Sequence, residues 1–120
     1  MIGIGGFFGA IARYIVDGWV VARTGATFPW GTLVVNLSGS FILGLLFALA
    51  IERGVLPADI RGPVFIGFIG AYTTFSTLAL DSWRLVENGS YVLGVANLVG
   101  SLVLGIVAVV GGLVLGRALA

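Results

Sequence analysis

A chain of 120 residues in which 59% are apolar and only 9% charged cannot coat itself for water, since soluble domains carry about 25% charged residues. A net charge of +1 leaves no electrostatic footprint for nucleic acid. With no histidine and no cysteine, the commonest general base, the thiolate metal ligands and every disulfide are excluded, and no catalytic constellation is visible.

The hydrocarbon core of a bilayer, roughly 30 Å thick, takes about 20 apolar residues per helix. Four such stretches fit, at about 2–22, 32–51, 62–80 and 91–116, so residues 1–120 read as one all-α integral membrane domain. They are too long, and too uniformly apolar, for barrel strands. The first stretch lacks a basic leader and carries Arg13 within its apolar run, unlike a signal peptide. Its "GIGGFFGA" departs from the dinucleotide fingerprint, with Phe8 where the third glycine belongs. Arg13 and Asp17 lie one turn apart. Either they pair, as buried membrane charges do, or Arg13 faces a water-filled vestibule and draws anions inward.

The second stretch places Thr32, Asn36 and Ser40 four residues apart, hence on one helical face. The third contains "GAYTTFSTLAL", with Gly70, Thr73, Thr74, Ser76 and Thr77 in its polar middle. The fourth repeats the row with Asn97, Ser101 and Gly105. Gly5–Gly9 and Gly112–Gly116 are small-residue pairs that let helices approach closely in lipid. The connecting segments "RTGATFPWG", "ERGVLPADIR" and "DSWRLVENGS" hold most of the charges, and Trp19, Trp30 and Trp83 mark interface levels.

Single hydroxyls in such helices act as glue contributing about 0.6 kcal/mol each. Two aligned rows with an asparagine in each point further, to a polar track. Glycine and β-branched threonine weaken the third helix at its middle, so a break is expected there. The competing expectation is a kinked helix whose threonines bond back to i−4 carbonyls. A break frees carbonyl oxygens suited to a hard cation such as Na⁺, and turns Phe75 so that its positive ring edge can face an anion. No carboxylate falls deep in the second, third or fourth stretch, which favours an anion or neutral solute over a proton-coupled cation. Three loop or terminal arginines on one side (Arg53, Arg61, Arg117) face two on the other (Arg23, Arg84). So small a bias permits insertion both ways round and pairing of opposed copies.

The segments "GGFFGAIARY", "GTLVVNLSGSFILG" and "GFIGAYTTFSTLALD" resemble, in order, the signatures of the Fluc (CrcB) fluoride channels, and the likeness covers essentially the whole chain. The resemblance implies an antiparallel, dual-topology homodimer in a bacterial or archaeal plasma membrane. It implies two fluoride pores and one structural Na⁺ held at the dimer centre by carbonyls of the broken third helices. Such channels export fluoride passively, without ATP or proton coupling. Carried onto this sequence, the pore residues are Asn36, Phe75, Leu78, Thr32, Ser101, Asn97, Ser76 and Thr77. Arg13 is the vestibule residue, and Gly70 and Thr73 donate to the cation. Two positions depart from the family: Leu78 replaces a second phenylalanine, and Asn97 stands where tyrosine is frequent. The departures leave open one subunit of a heterodimeric fluoride channel. The strongest rival class is a proton-coupled small multidrug antiporter, for which Asp17 is the sole acidic candidate in the first helix.

Overall fold

A computed structural model describes residues 1–25, 27–54 and 56–119. Four helical runs dominate, Ile2–Thr24, Trp30–Glu52, Ala58–Glu87 and Tyr91–Leu119, each long and apolar enough to cross a membrane. At 1.5 Å per residue the shortest spans about 34 Å, more than a hydrocarbon core of about 30 Å. The molecule is accordingly long and thin, 48 × 28 × 22 Å.

Helix α1 (Ile2–Thr24) ends at Gly25, whose φ of 80° lets its N–H reach back to the Val21 carbonyl. Helix α2 (Trp30–Leu46) widens into a π-helical turn over Phe47–Glu52. Arg61 donates to the carbonyls of Ala50 at 3.0 Å and Leu56 at 3.3 Å, tying down the turn that follows. The third run is composite: α3 (Ala58–Arg61), a π-helical stretch Gly62–Ile69, α4 (Gly70–Tyr72) and α5 (Phe75–Glu87). It begins at Ala58 rather than 62 and continues to Glu87 rather than stopping at 80. Of the charges that suggest a loop after Leu80, Arg84 and Glu87 instead occupy the outer face of an amphipathic α5, whose Leu78, Ser82 and Leu85 turn inward, while Asp81 is half-buried. Gly89, at φ 85°, makes the tight turn into α6 (Tyr91–Leu119).

Packing rests on glycine. The most extensive seam joins α2 to α6, and a Cβ on Gly44 would strike the Val109 carbonyl. A Cβ on Gly112 would strike the Phe41 carbonyl in the same seam. Helix α1 packs equally closely on the Gly62–Ile69 stretch, where Gly9 faces the Phe68 carbonyl. Backbones in contact bury few large side chains, so the apolar interior is a thin line of Val20, Val35, Ala48, Ala50, Ile69, Tyr72, Leu78 and Leu85, while most bulky apolar residues of α1 and α6 face outward. That inversion suits lipid, where burial of hydrocarbon gives no driving force and close van der Waals contact supplies it. Arg117 grips Glu52 with two hydrogen bonds, 2.8 and 2.9 Å, which sets the end of α6 beside the end of the second run.

Gly112→Ala should therefore force the α2–α6 seam apart, at a cost of about 1–3 kcal/mol. Gly18→Ala, with nothing within 4 Å of the added methyl, should leave stability unchanged. Thermal unfolding of the two variants in the same detergent checks the contrast.

Candidate functional site

The centre of the third run is where the helix stops being one. An uninterrupted helix would pair the N–H groups of residues 74 to 77 with the carbonyls of 70 to 73. Thr73 (φ −85°, ψ 158°) and Thr74 (φ −149°, ψ 126°) are instead extended. The Thr74 N–H donates to Asn36 Oδ1 at 2.8 Å, and Asn36 Nδ2 donates to the Thr74 carbonyl, also at 2.8 Å. The Thr77 N–H turns to Thr74 Oγ1 at 3.3 Å, making Thr74 the N-cap of α5. Arg13 Nε donates to the Ala71 carbonyl at 3.2 Å. The two N–H groups that would have served Gly70 and Thr73 are thus engaged elsewhere, and those two carbonyls lose their helical partners. Both sequence expectations for this segment contain part of the answer, because Thr73 Oγ1 also bonds back to the Ile69 carbonyl at 3.0 Å.

The sequence around Asn36 makes the clasp possible. Gly39, one turn on, has no Cβ, and its place is taken by the Thr73 methyl and the Tyr72 ring. Ser38 meets the Tyr72 hydroxyl at 2.9 Å, which fixes the last residue of α4 against α2.

Clefts lie on both sides of the clasp, and Thr74 lines both. One, of about 290 Å³, is lined by Arg13, Tyr14, Asp17, Thr32, Thr74 and Thr77, with Ala10 and Val35. The other, of about 240 Å³, is lined by Asn36, Gly39, Ser40, Leu43, Ile69, Thr73, Thr74, Phe75 and Leu78. A third cleft, of about 260 Å³, is lined by Thr27, Pro29, Asp81, Arg84, Leu85 and Asn88. It adjoins the first through Thr32, whose hydroxyl donates to Asp81 Oδ2 at 3.2 Å.

Of the residues singled out by sequence, Arg13, Thr32, Asn36, Gly70, Thr73 and Thr77 fall at or beside the interrupted helix. Ser76 is exposed, its hydroxyl 3.3 Å from Thr74 Oγ1. Phe75 projects from the flank of the chain, 72% exposed, whereas Leu78 is 6% exposed. Asn97 and Ser101 are buried away from these three clefts. Asn97 Nδ2 donates to Ser82 Oγ at 2.9 Å, while Asn97 Oδ1 and Ser101 Oγ have no protein partner among the described residues. Arg13 and Asp17 do not pair; among the described residues the one ion pair is Arg117–Glu52. Asp81 and Ser82 lie beyond the helix end that the sequence suggests at Leu80 and so carry no expectation from it. The spacing Thr74, Thr77, Asp81 continues one face and was the available signal. Among the described residues no group of three or more acidic or other ligating side chains could hold a metal. The released carbonyls of Gly70, which is exposed, and Thr73 are neutral oxygens of the kind a hard cation takes.

The sequence profile described as "CrcB-like protein, Camphor Resistance (CrcB)" matches residues 1–113. A protein of Magnetococcus marinus named "Fluoride-specific ion channel FluC" is 46% identical over 98 residues, covering 82% of this chain and 80% of its own. A protein of the same name from Hahella chejuensis is 42% identical over 98 residues, 82% of this chain and 77% of that one. Another, from Rhizobium meliloti, is 40% identical over 99 residues, 82% of this chain and 79% of that one.

The clasp needs both an acceptor and a donor on one side chain. Asn36→Asp keeps an acceptor for the Thr74 N–H but sets a carboxylate oxygen against the Thr74 carbonyl. Each unpaired backbone group costs about 1–3 kcal/mol. Amide hydrogen exchange at Thr74 should therefore quicken by about tenfold or more in Asn36→Asp and Asn36→Ala alike.

Proposed function

This chain belongs to the CrcB family, and from that premise we propose that it is a passive fluoride-selective channel, and no enzyme, that exports the ion across a bacterial or archaeal plasma membrane. The observation that carries the proposal is the interrupted third helix, clasped by Asn36, with polar clefts on either side of it. Fluoride is small and tightly hydrated, so a path through lipid must offer hydrogen-bond donors in place of water. Asn36 Nδ2 has two N–H groups, and one is spent on Thr74. Its second N–H and the hydroxyls of Thr77 and Ser76 supply donors along the path, and Thr32 continues its polar lining, while Asn97 and Ser101 lie outside the clefts. Phe75 offers a ring edge, and Leu78 gives an apolar wall. Arg13 draws anions into the cleft it lines with Thr32 and Thr77.

In this reading the break lies at mid-membrane, and two copies inserted in opposite orientations form the working unit. Phe75, exposed in one chain, then finds its place in the dimer. The Gly70 and Thr73 carbonyls fit a sodium ion: they are neutral hard oxygens, free of helical partners, and backbone of this kind ligates Na⁺ in other membrane proteins. Two carbonyls are too few to encase an ion, and opposed copies raise the set to four. Bound there, the ion supplies a fixed charge that holds two broken helices together.

Purified protein reconstituted alone into liposomes should release fluoride quickly, read with a fluoride electrode, and leak no chloride. Asn36→Ala and Phe75→Ile should lower the rate by about 10–100-fold, the equivalent of one or two lost donor-scale interactions, while the dimer still assembles. Wild-type flux from both variants would remove these side chains from the path. No release from folded wild-type protein would overturn the self-sufficient channel and favour a partner chain, to which Leu78 already draws attention.

A further inference from the structure

We infer that Arg13 is a positioning residue for the sodium site, acting through the Ala71 carbonyl as well as lining a cleft; this rests on the sodium reading above. The break releases four carbonyls, and they are not left equivalent. Arg13 Nε takes that of Ala71 at 3.2 Å. This charge-assisted bond crosses from α1 to α4, between residues 58 apart in sequence. Asn36 meanwhile holds Thr74 from α2. The break is therefore anchored from two helices, at Ala71 between the two carbonyls proposed for the cation and at Thr74 just beyond them. Withdrawing Ala71 leaves the Gly70, Tyr72 and Thr73 oxygens, of which Gly70 and Thr73 are the pair proposed for the cation. The bond also keeps Ala71 from regaining the Phe75 N–H, the step by which the helix would close across the break.

Arginine suits this double position because its guanidinium is planar, with Nε–H fixed relative to the terminal NH₂ groups. Nε can hold the carbonyl while the terminal nitrogens remain available to the cleft; none of them makes a hydrogen bond to protein among the described residues. Lysine keeps the charge in the cleft but not the fork. Arg13→Lys therefore separates positioning from attraction.

The experiment is sodium-dependent dimer stability, followed by size-exclusion chromatography as sodium is exchanged for N-methylglucamine. The sodium concentration that half-maintains the dimer should rise by about tenfold in Arg13→Lys, the scale of one charge-assisted hydrogen bond, with the dimer restored at saturating sodium. A merely misfolded variant would not be rescued by the ion. A sodium-sensitive wild type with an unmoved midpoint in Arg13→Lys would overturn the inference and leave the sodium reading intact. A wild-type dimer indifferent to sodium would overturn both. If Arg13→Lys fails to fold, wild-type protein in bilayers, labelled with ¹⁵N-arginine and ¹³C-carbonyl alanine, gives the answer by solid-state NMR. A dipolar contact between Arg13 Nε and the Ala71 carbonyl carbon supports the inference, and its absence overturns it.

Discussion

The two hydrogen bonds between Asn36 and Thr74 are the constraint from which the rest of the architecture follows. In lipid, an unpaired backbone group costs several kcal/mol, so a helix is interrupted only where other protein groups serve its loose ends. Asn36 serves one N–H and one carbonyl at once, with the pairing that a neighbouring β-strand would offer. A side chain that short requires α2 to lie almost against the break. Gly39 admits the Thr73 methyl, and the Ser38–Tyr72 contact fixes the other flank. On its far side α2 lies equally close to α6 through Gly44 and Gly112. The glycines are thus distributed to bring backbones to the distance at which short polar side chains can reach.

The membrane architecture was legible because composition and apolar length report the solvent directly. The weakness of the third helix was legible too, since Gly70, Thr73 and Thr74 act locally. What served the loosened ends was not legible: Asn36 is 38 residues from Thr74, and Arg13 is 58 from Ala71. Sequence periodicity places Asn36 on a face but does not say which backbone that face meets. Asp81 failed for a different reason. A charge after an apolar run reads as a helix end, yet here α5 continues, with Thr32 donating to that carboxylate. The row Asn97–Ser101 was legible as a row, and its placement inside the α5–α6 packing was not.

Asn97, which by resemblance stands where a tyrosine is frequent, shows how one side chain shapes an interior. A tyrosine would carry a ring and a hydroxyl into the space between helices. The amide is compact and donates to Ser82, itself buried, so that α5 and α6 are joined by a polar contact. Its Oδ1 and the Ser101 hydroxyl are left without protein partners among the described residues. Leu78, which by resemblance replaces a phenylalanine, is largely buried beside Phe75 and Asn36 in one cleft. The two replacements therefore act on one face of α5, a turn apart, one at its packing against α6 and one at the cleft beside the break.

Four of the six arginines follow the same backbone rule as Asn36. All six basic residues are arginine. Arg13 serves a carbonyl at the break, Arg61 serves two around the π-helical end of the second run, and Arg23 serves Trp19 in the last turn of α1 while stacking on its ring. Arg53 serves the carbonyl of Arg117, whose own fork grips Glu52. Lysine, a point charge on a flexible stem, lacks the fork that binds a carbonyl while leaving other donors free. In a chain rich in helix ends and one helix break, released carbonyls are what basic side chains are needed for. Such carbonyls arise at both ends of every bundle, so arginines placed to serve them fall on both sides of the membrane. Arg23 on one side and Arg53 and Arg61 on the other serve carbonyls in this way, so backbone satisfaction accounts for three of the five arginines behind the near-balance of three against two.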